Sequence, residues 1–365
     1  MARTLPEKRA APLGGVTLAA LVISTAYVLS RALGVLRQTA INGEFGAGPE
    51  TDAFWAAFTV PDLFFNLLVG GALTSVFVPV YARLVAEGRR RDAWRLACTV
   101  FNVVAILLVC VTVLILALAP TLAPLIAAGF PRETQILAAH LTRILALQPL
   151  YLGLGVVAMA VLNSGKKFAL SAYAPVVYNL GIIAGALVLA PRVGVEGLAV
   201  GATLGALGYF VLQVPGLRRQ GLPYRFTLDL AMPELAQVGK LLVPRTLGLA
   251  SSQIGGLITM VSLASGLPSG SVTVVRAALQ IVLLPVGVFG VAIATAVFPT
   301  LADHAAANNR RDLGDTVAKT LRFMLFVGAP STVALVVLRR QIVGLLLQHG
   351  RFSAEDAQMT ALALG

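Results

Sequence analysis

The sequence predicts an all-α integral membrane protein of two six-helix bundles related by a parallel repeat, the second bundle incomplete in this chain. Three observations predict it: the composition, the alternation of basic loops between apolar runs, and an internal repeat. Hydrophobic residues make up 58% of the chain and charged residues only 12%, whereas a soluble domain carries about a quarter charged. Apolar runs long enough to span a bilayer recur along the whole length.

Nine such runs can be placed, at about 16–38, 53–82, 96–126, 134–162, 168–190, 195–215, 236–265, 271–302 and 320–346, and a tenth begins near Ala354. Pro61, Pro79, Pro120, Pro149, Pro175, Pro285 and Pro330 lie in or at the ends of these runs, as is common in membrane helices that bend around a cavity. The basic tail MARTLPEKRAAPLGG carries no small-residue cleavage site after a short apolar stretch, so the first run reads as a retained helix.

The net charge of +12 would suggest nucleic acid in a soluble protein, but aromatic residues are not interleaved with it, and no nucleic-acid partner is expected. The positive charge instead sets orientation. Arg3, Lys8 and Arg9 lie in the tail. Arg83, Arg89, Arg90, Arg91 and Arg95 follow the second run, Lys166 and Lys167 the fourth, Arg218, Arg219 and Arg225 the sixth, and Arg310 and Arg311 the eighth. These loops and the N-terminus are therefore expected in the cytoplasm. Arg339, Arg340 and Arg351 break the pattern and are assigned to an amphipathic interfacial stretch after the ninth run. Cys98 and Cys110 share one run, about 18 Å apart on a helix, too far to bridge.

The repeat is more informative. Gly70, Ala72, Ser75, Pro79, Arg90, Arg91 and Asp92 recur as Gly290, Ala292, Thr295, Pro299, Arg310, Arg311 and Asp312, at a constant offset of 220 residues. An even number of helices per repeat makes both copies enter the membrane from the same side. The expected organisation is a cytoplasmic tail over 1–15, a six-helix bundle over 16–216, a cytoplasmic linker over 217–235, and over 236–365 the start of the second bundle, its helices seven to nine and part of ten. On this scheme the chain reads as truncated.

Charges inside the apolar runs need a partner or a function, because each costs at least a few kcal/mol in hydrocarbon. Arg31 and Asp62 fall at similar depth, as do Arg37 and Asp52, so helices one and two could be joined by structural ion pairs. Equally, Arg31 and Arg37 could face a cavity and bind an anion, since a guanidinium stays charged and forks onto phosphate. Arg143 and Arg245 lie within the fourth and seventh runs, where snorkelling competes with a structural or gating role. His140, His304 and His349 have no ligand-spaced neighbours, and neither a metal site nor a nucleophile–base pair is apparent, so an enzyme is not expected.

Several blocks resemble one family in order along nearly the whole chain. They are Ser30-Arg31-Ala-Leu-Gly34-Val-Leu-Arg37, Phe45-Gly46-Ala47-Gly48, Thr51-Asp52-Ala53-Phe54 with Pro61, Phe77-Val-Pro79, Asn179-Leu-Gly181, Pro244-Arg245, Leu284-Pro285-Val-Gly287, and Gln348-His-Gly350-Arg-Phe352-Ser. They are similar to the MurJ (MviN-type) lipid II flippases of the multidrug/oligosaccharidyl-lipid/polysaccharide exporter superfamily. The resemblance implies translocation of an undecaprenyl-pyrophosphate-linked peptidoglycan precursor across the bacterial inner membrane by alternating access, with no cofactor. Membrane lipids and cell-wall synthesis proteins are the implied partners. It also implies two further helices forming a lipid groove, which this sequence does not reach.

With the resemblance, Arg31 and Arg37 read as anion-binding, and Asp62, Asn66, Gln280 and Arg276 as further cavity residues. Asp52, Pro61, Arg143 and Arg245 read as structural or gating. The family pattern places arginines where this chain has Phe65 and Gln280; Arg276, one turn from Gln280, is the expected substitute. Two other readings follow from those departures: a non-transporting remnant or scaffold, and an exporter of another lipid-linked or small-molecule cargo.

Overall fold

A backbone crossing hydrocarbon must satisfy its own N–H and C=O groups, which for sequences of this kind means helices. The computed structural model describes residues 13–69, 72–165, 167–219 and 224–365, and all regular structure among them is helical. The tail cations Arg3, Lys8 and Arg9, the repeat glycine Gly70 and the loop residue Lys166 lie outside the described residues.

The helices are α1 Leu13–Phe45, α2 Pro49–Leu68, α3 Ala72–Ala86, α4 Arg90–Ile126, α5 Arg132–Leu145, α6 Gln148–Ser164, α7 Phe168–Ala184, α8 Ala190–Val193, α9 Val195–Val211, α10 Val214–Arg218, α11 Pro233–Leu257, α12 Ser271–Pro285, α13 Val291–Ala306, α14 Arg310–Val337, α15 Arg339–Leu347 and α16 Ala354–Leu364. Wide π turns follow α7, α11 and α12. Each expected apolar run is thus occupied by one helix or by two in succession. Among the described residues, seven continuous helical stretches are long and apolar enough to cross a membrane, including Arg90–Ile126, Arg132–Ser164 and Arg310–Val337. The ninth run divides: α14 begins ten residues earlier than expected, and Arg339 and Arg340 open the separate short helix α15.

By contact the chain forms two compact units, Met1–Ile41 with Ala53–Gly266, and Asn42–Asp52 with Leu267–Gly365. The repeat concerns sequence correspondence and the units concern contact, and they divide the chain at different places. In the first unit α11 packs against α3 and α4.

The core of the first unit runs from α3 through α4 to α6, with Phe77, Leu73, Leu84, Leu96 and Leu108 fully buried. Lipid gives helices no hydrophobic reason to associate, so close packing of small residues must supply the attraction. That is the device between α7 and α9. A Cβ on Gly201 would stand 2.4 Å from the Cα of Gly185, and one on Gly181 would stand 2.3 Å from the Cα of Gly205. No side chain larger than hydrogen fits along this seam.

Residues 224–232 are non-helical and lie along α4. Tyr224 donates its hydroxyl to the Asn102 Oδ1 and packs edge-on against Phe101, with ring centroids 5.8 Å apart. Asn102 donates to the Thr227 carbonyl at 2.9 Å, Arg95 pairs with Asp229 at 2.8 Å, and Arg89 pairs with Glu234 at 3.2 Å. The segment is a strap, and beneath it lies an apolar cavity of about 640 Å³ lined by Trp94, Cys98, Phe101, Val157, Phe210 and Tyr224.

In the second unit α12, α15 and α16 enclose a smaller core around Ile281, Val343, Leu347 and Phe352. The end of α1 is knotted to the loop after α15, where Arg351 N–H donates to the Gly43 carbonyl at 2.7 Å. Gly350 has φ +59°, and a Cβ there would lie 2.2 Å from the Gly43 oxygen, so glycine is required twice over. Helix α14 has no buried residue.

Candidate functional site

Helix α1 carries both arginines expected to bind an anion. Six residues apart, they project roughly 120° from one another around the helix. Arg31 is exposed and its Nη2 donates to the Tyr27 hydroxyl at 3.2 Å, with the guanidinium carbon 5.2 Å from the Tyr27 ring centroid. Tyr27 lies one turn earlier on the same helix, so this contact orders the side chain without joining α1 to anything else.

Arg37 turns toward α7. Its Nη1 donates to the Asn179 Oδ1 at 3.2 Å, while its Nε is buried with no hydrogen-bond partner. Asn179 in turn donates from Nδ2 to the Pro175 carbonyl at 3.0 Å and to the Ser30 carbonyl at 3.4 Å, which fixes the amide and presents its oxygen to the guanidinium. Asp62 and Tyr178 lie within electrostatic reach of Arg37. Asp62 accepts from the Asn66 Nδ2 at 3.1 Å, one turn along α2. Tyr178 accepts from the Gln148 Nε2 at 2.9 Å, and the buried Gln148 Oε1 has no partner.

The first unit therefore gathers Arg37, Asp62, Asn66, Gln148, Tyr178 and Asn179 from four helices, two of their buried polar atoms being unpaired. A buried unpaired guanidinium N–H is costly and is what an oxyanion would satisfy. Gln148 and Tyr178 were not among the residues singled out from sequence. Their signal was the one that marked the arginines, a polar side chain inside an apolar run, but uncharged groups there are too common to stand out.

The remaining expected residues fall elsewhere. Pro61 is buried inside α2, which continues through it. Phe65, where the family pattern has arginine, packs against the apolar clusters around Leu73 and Leu152. Arg143 is exposed in the last turn of α5. Arg245 on α11 donates to the Ser75 Oγ at 2.6 Å. Arg276 and Gln280 lie on α12 in the second unit, both partly buried.

Asp52 belongs to the second unit, where its carboxylate accepts from Gly270 N–H at 2.7 Å, Thr273 N–H at 2.8 Å and the Thr273 hydroxyl at 2.6 Å. These donors are the unsatisfied groups at the start of α12, so Asp52 caps a helix more than two hundred residues away in sequence. The pairing of Arg37 with Asp52 considered from depth alone is replaced by these two sets of bonds. His140 pairs with Glu196 at 3.2 Å. Among the described residues no three His, Cys, Asp or Glu side chains form a group able to hold a metal.

Residues 41–365 match the family model described as "Lipid II flippase MurJ". The chain is 31% identical over 354 residues to the lipid II flippase MurJ of Burkholderia cenocepacia, covering 95% of this chain and 68% of that protein. It is 29% identical to a probable lipid II flippase MurJ of Haemophilus influenzae, covering 92% and 69%. Among solved structures, a lipid II flippase MurJ in an inward closed conformation superposes with a TM-score of 0.80 at 26% identity, over 94% of this chain and 71% of that one. A multidrug resistance MATE transporter of the MOP superfamily gives 0.76 at 17% identity, over 94% and 79%, a likeness of fold. With its several apolar helices the chain is a multi-pass protein of the bacterial inner membrane. It belongs to the MurJ family of lipid II flippases.

Proposed function

We propose that this chain moves a lipid-linked peptidoglycan precursor from the inner to the outer leaflet by alternating access, with its N-terminus in the cytoplasm. The observation that carries the reading is the charge around α1. Arg37 lies within electrostatic reach of Asp62 and keeps a buried N–H unpaired, and Arg31 adds a second guanidinium about two turns earlier on the same helix. A buried guanidinium N–H without a protein partner suits an anionic headgroup such as a pyrophosphate. Asn66 and Asn179 would position Asp62 and Arg37. The membrane potential would act on the charge moved, at about 2.3 kcal/mol per charge per 100 mV.

Phe65 and Gln280, both uncharged, reduce the positive charge available and favour a second reading, in which the cargo is another lipid-linked anion of the same superfamily. One experiment addresses both. The chain is expressed in a bacterium depleted of its own flippase, and growth and lipid II accessibility at the outer leaflet are followed. Rescue is expected from the intact chain, with Arg37→Ala abolishing it and Arg31→Ala reducing it. Rescue untouched by both substitutions would remove the anion site, and absence of rescue by a well-expressed chain would favour the other cargo.

A further inference from the structure

The cavity beneath the 224–232 strap shares no residue with the site around Arg37 and lies wholly within the first unit. Its wall is largely aromatic: Trp94 and Phe101 come from α4, Phe210 from α9 and Tyr224 from the strap. Phe101 packs between two of the others, tilted against Phe210 with centroids 6.1 Å apart and edge-on to Tyr224 at 5.8 Å. At about 640 Å³ the space falls within the range of small-molecule pockets, about 300–1,000 Å³. Water is poorly held there, because an apolar wall offers it few partners, and the Tyr224 hydroxyl is already engaged by Asn102.

Among the described lining residues Arg218 alone carries a charge. It is exposed and makes no ion pair or hydrogen bond among the described residues. The short helix α10 that bears it is held in place. A Cβ on Gly216 would stand 2.8 Å from the Leu170 side chain and 2.9 Å from that of Leu162, and the Lys167 Nζ donates to the Arg219 carbonyl at 3.2 Å. The carboxylates of the strap and of the start of α11 are engaged elsewhere, Asp229 with Arg95 and Glu234 with Arg89. A guanidinium without a counter-charge thus borders an aromatic cavity. We infer that this cavity binds a small aromatic carboxylate, its rings among Trp94, Phe101, Phe210 and Tyr224 and its carboxylate forked on Arg218. Aromatic walls favour ring ligands through edge and offset-stacked contacts, and a guanidinium matches a carboxylate with two parallel hydrogen bonds.

Cys98 lines the same cavity and is buried, whereas Cys110 is exposed, so a Cys110→Ser chain carries a thiol reporter at the site. The test uses that full chain in nanodiscs of zwitterionic phosphatidylcholine, titrated with naphthaleneacetate in one arm and the neutral naphthaleneethanol in the other. Naphthaleneacetate is expected to slow labelling of Cys98 by N-ethylmaleimide and to raise the melting temperature, as any ligand of the folded state does. Because Arg218 has no protein partner, Arg218→Gln leaves nothing unpaired and should not alter the ligand-free melting temperature. It is expected to weaken naphthaleneacetate about tenfold, with Arg218→Lys, which keeps the charge and loses the fork, falling between. Phe210→Ala should weaken both probes. Equal binding of the neutral probe overturns the carboxylate ligand. No effect of either probe on the melting temperature overturns the site, as does a rise that survives both Arg218→Gln and Phe210→Ala. The assay requires no translocation, so its outcome stands whether or not the chain rescues a flippase-depleted cell.

Discussion

The seam between α7 and α9 and the long helix α14 are both rich in apolar residues and contain glycine, yet glycine has opposite meanings in them. In the seam, Gly181, Gly185, Gly201 and Gly205 are in backbone contact, and any Cβ would collide with another main chain. In α14, Gly314 and Gly328 have nothing within 4 Å of where a Cβ would stand. The first set determines how closely two helices approach, and the second only weakens a helix. The comparison teaches that glycine content says little in a membrane protein until its neighbour is known.

Three substitutions break or sharpen that contrast. Gly201→Leu should have the largest effect, since α7 and α9 would have to part; a loss of about 3 kcal/mol or more is expected, read as loss of monodisperse protein after purification. Asp52→Asn comes next. It places an amide N–H against the N–H groups that the carboxylate now accepts, and a loss of about 1–3 kcal/mol is expected, read as a lower melting temperature. A fall as large as that of Gly201→Leu would show that the cap, not the seam, limits stability. Gly328→Ala should be smallest and opposite in sign, a gain of up to about 1 kcal/mol from helix propensity. A marked loss there would mean that α14 is covered as tightly as α7.

The helical architecture was legible because hydropathy and loop charge report directly on where a chain meets lipid, and each expected run is occupied by helix. The division of the ninth run at Arg339 was foreshadowed by two arginines that no transmembrane helix would hold at that point. What sequence could not give was which residues meet. Depth along a helix placed Asp52 level with Arg37, but depth is one coordinate of three, and the structure gives Asp52 to the start of α12 and Arg37 to Asn179. Gln148 and Tyr178 went unremarked for a related reason: an uncharged polar side chain acquires significance only from the group beside it.

Where two backbones touch along a row of glycines there is no lumen, no file of water and no gap that a sugar or a phosphate could enter. The α7–α9 seam is therefore a watertight wall. Any route for a hydrophilic headgroup through this protein must run along some other face of those helices, and leakage of protons or small ions is blocked there by the absence of side chains that could swing aside.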